Sequence, residues 1–139
     1  MDHVGFSGEQ FRGFRDVPRK GAIHMLNLVK LREKAEYADG RAATGAEAYA
    51  AYGRETAHIL ERLGGRIVWR GKMEFMLIGP QEGEEWDLCF IAEYPDADAF
   101  VSMIKDPEYR AAMEHRQAAV KDSRLIRMEP LPVGEDFGG

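Results

Sequence analysis

Strand-like and helix-like segments in the order β-α-β-β-α-β predict an α+β domain. In such a domain a four-stranded antiparallel sheet carries its helices on one face. Three observations carry that reading. "AIHMLNLVKL" (22–31) is apolar on both faces, as a central strand is. Two helical stretches open on recognisable caps, Thr44 with Glu47 and Asp106 with Pro107. "SRLIRMEPL" closes the pattern as a last strand.

The elements follow in order. Ser7 with Gln10 makes a capping box, and Phe6 with Phe11 a hydrophobic staple. A short helix therefore precedes Pro18, as an extension over residues 1–20. After the first strand, "REKAEYADGRAAT" is polar with a glycine turn and reads as a loop free to move. The Thr44 helix runs to about Leu63 and stops at Gly64-Gly65. "RIVWRGKMEFMLIG" (66–79) reads as a strand, with Gly71 suggesting a bulge. "PQEGEE" is a hairpin loop and "WDLCFIAEYP" the next strand. Asp96 caps a helix to about Lys105, and the Asp106 helix follows at once. The tail "PVGEDFGG" carries no periodic signal. This is the ferredoxin-like split βαβ plan, with a single domain over 1–139 and its core at 22–130. Strands apolar on both sides leave one sheet face uncovered, so a homodimer through sheet faces is expected.

Composition narrows the function classes. The chain has 139 residues, a net charge of −5, 45% hydrophobic and 31% charged residues, an ordinary globular profile. No basic field exists to hold a phosphate backbone, so neither nucleic acid nor an anionic membrane is expected as a partner. The one cysteine, Cys89, makes no internal disulfide and sits mid-strand, where it reads as a small hydrophobe. "MDHVGFSGEQ" lacks a signal-peptide pattern, and a cytoplasmic protein is expected. His3, His24, His58 and His115 show no metal-ligand spacing, and no phosphate loop or GxSxG elbow is present. No metal and no cofactor is expected.

One feature stands out. Centring the helix after Pro107 on Arg116 places Tyr109, Ala112, Met113, Ala119 and Val120 within about 60° of it. A cation in the middle of an apolar stripe needs an anionic partner, a ligand or a wet cavity. Glu93 and Glu129 are the carboxylates considered, and snorkelling to solvent is the third course. The first long helix repeats the pattern, with Tyr49, Tyr52, Ile59, Leu60 and Leu63 around Thr56. Both helices share one sheet face, so Tyr49, Tyr52, Thr56 and Arg116 can converge on one small-molecule cleft. Thr56 can equally bond its own helix backbone, and the tyrosines can be core aromatics with a polar tip. His115 lies about 100° from Arg116 and is the candidate general base, or else a surface histidine. Asn27 is a barrel-lining polar group or a structural clamp; Trp69 walls a pocket, packs in the core or meets a partner.

"MLNLVKLR", "AYAAYGRETAHILERLGGRIVWRG" and the run from Glu84 to Ile126 together resemble the domain-of-unknown-function-1330 family, of the dimeric α/β-barrel superfamily. The markers are Gly64-Gly65, Tyr94-Pro95, Asp106-Pro107-Glu108-Tyr109 and His115-Arg116. The resemblance implies a ferredoxin-like protomer whose sheet pairs with a partner's to close a barrel. Its superfamily includes cofactor-independent monooxygenases, lactone isomerases, polyketide cyclases and haem-handling proteins. No catalytic residue carries over, because the family has no settled reaction. Two functions follow as expectations. One is a cofactor-independent enzyme acting on a small acidic or phenolic molecule, with Arg116 at an anionic oxygen and His115 or a tyrosine moving a proton. The other is a non-catalytic binding or regulatory dimer. A purely structural Arg116 is the third possibility.

Overall fold

The computed structural model describes residues 2–139. Its elements are α1 (Gly8–Asp16), β1 (Ile23–Leu31), α2 (Gly45–Arg62), β2 (Arg66–Gly71), β3 (Leu88–Tyr94), α3 (Ala97–Lys105), α4 (Pro107–Ala119) and β4 (Val120–Met128). The strands form one antiparallel sheet in the order β2-β3-β1-β4. This is the ferredoxin-like α+β arrangement, and β1 is central as its double-sided apolarity predicts.

The caps explain where the helices begin. Ser7 accepts from the Gln10 amide and Thr44 from the Glu47 amide, and both capping boxes are closed in return. Asp96 accepts from the Ala99 amide, while Asp106 accepts from those of Glu108 and Tyr109 ahead of Pro107. Gly64 ends α2 at φ +81°, with Pro95 Cγ 3.3 Å from where a Cβ would stand.

The core lies between the helices and one sheet face. Ile23 and Met25 of β1, Ala92 and Tyr94 of β3, Ile59 of α2 and Phe100 of α3 pack as one buried cluster. A fully buried isoleucine such as Ile23 or Ile59 contributes about 2–3 kcal/mol of transfer free energy. On the opposite face Leu26 of β1 stands between Ile91 of β3 and Ile126 of β4, and no helix covers that row.

Three expectations need correction. The strand read over 66–79 ends at Gly71, and an irregular stretch, 72–87, replaces the short hairpin loop. Phe75, Leu77 and Ile78 are 75%, 81% and 90% exposed, so their apolar character buries nothing within the protomer. The bulge lies at Val68, not Gly71, since the β2–β3 register shifts between Ile67 and Trp69. The 32–44 loop is tied down rather than loose. Lys34 bridges Thr44, and the Glu36 amide donates to the Ala118 carbonyl at 2.9 Å. No described helix is long and apolar enough to cross a membrane.

Candidate functional site

A cleft of about 750 Å³ runs between α2, α4 and the core-facing side of the sheet, and residues 3–14 form a further wall. Helix α2 presents Tyr49, Tyr52 and Thr56, α4 presents Tyr109 and Arg116, and β1 presents Asn27. From β4 come Ser123, Leu125 and Arg127, on one side of the strand by two-residue alternation, together with Arg124 from between them. Five sequence candidates therefore meet in one place: Asn27, Tyr49, Tyr52, Thr56 and Arg116.

Arg116 is half-buried and, among the described residues, has no carboxylate partner. Its guanidinium donates to the Val4 carbonyl at 2.6 Å and to Ser123 Oγ at 3.4 Å. The two carboxylates considered for it are engaged elsewhere. Glu93 bonds His24 at 2.8 Å and Arg66 at 3.0 Å, and those contacts hold its carboxyl below the usual range. Glu129 lies 4.0 Å from Arg19. The partner that sequence reasoning missed is a backbone carbonyl of the N-terminal segment, a group with no sequence signature.

The remaining charges have the same sign. Among the described residues, Arg70, Arg116, Arg124 and Arg127 line the cleft, and no aspartate or glutamate does. Arg124 is spoken for by Asp122 and Glu84, at 2.8 and 2.9 Å. Arg127 donates to the carbonyls of Phe14 and Arg19, and burial with the nearby Arg19 charge pulls its pKa below the usual arginine value. Without a carboxylate on the lining, an entering anion meets attraction and no opposing charge.

The tyrosines form a second set. Tyr52 and Tyr109 share a hydroxyl–hydroxyl bond of 2.7 Å, and the Tyr49 and Tyr52 rings lie 5.3 Å apart. Burial pushes all three phenols up, while the Arg116 charge pulls the other way. At neutral pH they are protonated donors. Thr56 donates to the Tyr52 carbonyl at 2.8 Å, and Asn27 donates to the Met25 carbonyl at 3.0 Å.

Two candidates lie elsewhere. His115 faces away from the cleft, with Nδ1 2.6 Å from the Tyr37 hydroxyl and Nε2 2.8 Å from Glu55. It is only 8% exposed, because the 32–44 loop lays Tyr37 over it, so the surface-histidine reading is corrected too. Trp69 is turned to the other sheet face by the Val68 bulge, which pairs it with Ile91 and brings Arg70 beside Phe90. It is 51% exposed. Among the described residues, no group of three or more His, Cys, Asp or Glu is placed to hold a metal ion.

Asp122 steadies the wall formed by the N-terminal segment. It accepts from the His3 amide at 2.7 Å, while Ser123 Oγ donates to the His3 carbonyl at 2.7 Å. Burial alone would raise its carboxyl, but the bonds from His3, Arg124 and Ser123 outweigh that and hold it below 3.8. A depressed folded pKa stabilises above the unfolded value and loses that contribution as pH falls through the folded one. The stability gap between wild type and Asp122→Asn is therefore expected to be constant above about pH 5 and to narrow below about pH 4. Urea melts at pH 2.5 to 6 test this, and a gap that widens on acidification refutes the assignment.

The fold and the cleft define a ferredoxin-like α+β protein with a cationic, aromatic-lined cavity between its helices and sheet. The chain belongs to the family described as domain of unknown function (DUF1330), which matches residues 30–129. It is similar to the methylated RPA0582 protein, at 60% identity and a TM-score of 0.91, over 96% of this chain and 98% of that one. A second structure of RPA0582, a protein of unknown function from Rhodopseudomonas palustris, matches at 58% identity and a TM-score of 0.90, over 96% and 100%. SnoaB, a cofactor-independent oxygenase from Streptomyces nogalater, shares the fold at 16% identity and a TM-score of 0.54, over 84% and 99%. No curated protein matches the sequence.

Proposed function

We propose that this protein binds a small acidic or phenolic organic molecule in the helix–sheet cleft, as a homodimer formed through the open sheet face. The observation that carries the reading is the lining itself: four arginines, no carboxylate, and an otherwise mainly apolar and aromatic surface. A site of that composition favours an anionic oxygen on an apolar body. Arg116 is the anchor, since its two contacts leave further N–H groups on a planar fork suited to a carboxylate. The dimer is supported by the uncovered Ile91–Leu26–Ile126 row and by the exposed Phe75, Leu77 and Ile78. The cytoplasm is the proposed setting, as lone Cys89 calls for no oxidising compartment.

The test is a thermal-shift screen of aromatic and aliphatic carboxylates and phenols against wild type and Arg116→Met in parallel. A ligand is expected to raise the melting temperature of wild type, with affinity falling roughly 10- to 150-fold in the variant, the worth of a charge-assisted hydrogen bond. Equal stabilisation of both proteins would place the ligand away from Arg116. A screen in which no acid or phenol shifts wild type would remove the reading altogether.

A second reading, cofactor-independent catalysis on the same bound molecule, is supported by one arrangement. Protonated tyrosines lie near a cation, so a developing oxyanion would meet both a proton donor and a positive charge. Mass spectrometry of a bound compound incubated with wild type and with Tyr49→Phe separates turnover from binding. Unchanged compound with wild type counts against catalysis.

A further inference from the structure

The cleft has two aromatic walls of different origin. Tyr49, Tyr52 and Tyr109 form one, with ring centres 5.3 and 6.0 Å apart in succession. Phe6, Phe11 and Phe14 form the other, at 5.4 and 6.5 Å, and Phe14 continues to Phe100 at 5.0 Å. All six line the same cavity. The second wall comes wholly from the N-terminal segment, which precedes the family match beginning at residue 30. Hydrogen bonds fix that segment at both ends, Arg116 to the Val4 carbonyl and Arg127 to the Phe14 carbonyl. The residue proposed as the anchor for the acid thus also positions the phenylalanine wall.

Rings that pair edge-to-face and face-to-face reward another flat ring placed among them. A saturated body of equal charge and carbon number gains the apolar burial without that geometric match. The phenylalanine wall also has a shape the family core alone does not supply. Resting on the reading that the cleft binds an organic acid, we infer that the ligand is a flat aromatic acid. Residues 4–14, with Phe6, Phe11 and Phe14, are the segment that selects it.

The test is calorimetric titration of 2-naphthoate and of its saturated counterpart, decahydro-2-naphthoate, which share charge and carbon skeleton. Wild type is expected to prefer the aromatic acid roughly 3- to 10-fold. Phe11→Leu is expected to bring the two affinities within about twofold by weakening only the aromatic acid. Phe6 is 47% exposed, so Phe6→Leu gives the same comparison at a position that is not part of the buried core. Equal binding of the two acids by wild type, or an unchanged preference in both variants, overturns the inference. The Arg116 anion site would then still stand, shown by loss of both acids in Arg116→Met. If neither acid binds wild type, the inference falls together with the proposed function.

Discussion

Gly45→Ala is expected to lower the unfolding free energy by about 3 kcal/mol or more. A Cβ on Gly45 would collide with the Arg32 carbonyl oxygen and stand 2.9 Å from its carbon. Both are backbone atoms, so no rotamer change relieves the clash. Nor can the loop easily retreat. The Arg32 amide donates to the Ala119 carbonyl at 2.8 Å, and the Gly45 amide to that of Glu33 at 3.2 Å. Either the start of α2 or the end of β1 must shift. Because α2 carries Tyr49, Tyr52 and Thr56, ligand binding should weaken along with stability. Chemical denaturation of the two proteins decides the matter. A variant within 0.5 kcal/mol of wild type would mean that the helix start has room the geometry denies it.

Ile126→Asp is expected to split the homodimer proposed through the open sheet face. Ile126 is 44% exposed in the protomer and flanks Leu26 on the open sheet face. A carboxylate there sits in water while the chain is alone, so the protomer keeps its fold. On pairing, the same group must be desolvated against an apolar row, with its strand neighbour Arg124 already held by Asp122 and Glu84, which costs several kcal/mol. The dimer should weaken by roughly two orders of magnitude or more. Sedimentation at micromolar concentration should report twice 15.7 kDa for wild type and one chain's mass for the variant. A variant still running as two chains would move the interface elsewhere, and a monomeric wild type would end the dimer reading.

The candidate site was legible in the sequence to the extent that helical geometry fixes neighbours. Arg116 and Thr56 lie at the centres of apolar stripes because 100° per residue leaves them no other place. Five of the seven candidates consequently reach one cleft. The two that do not were displaced by events without a local signature. A one-residue bulge at Val68 reversed the side on which Trp69 falls. A loop read as mobile folded back to cover His115 with Tyr37. The cleft arginine with two backbone partners, Arg127, shows as a strand residue, but strand alternation alone does not say which side meets the helices.

By itself the sequence determined what depends on short-range chemistry. Caps at Ser7, Thr44, Asp96 and Asp106 set the helix starts, the left-handed Gly64 ends α2, and the apolar pattern of β1 puts it inside the sheet. Tertiary structure alone decided what closes the cleft and what holds its arginine. The Val4 carbonyl is 112 residues from Arg116 in the chain. A backbone carbonyl is the same group at every position, so no residue type announces it. Only the packed fold selects which one faces the cation.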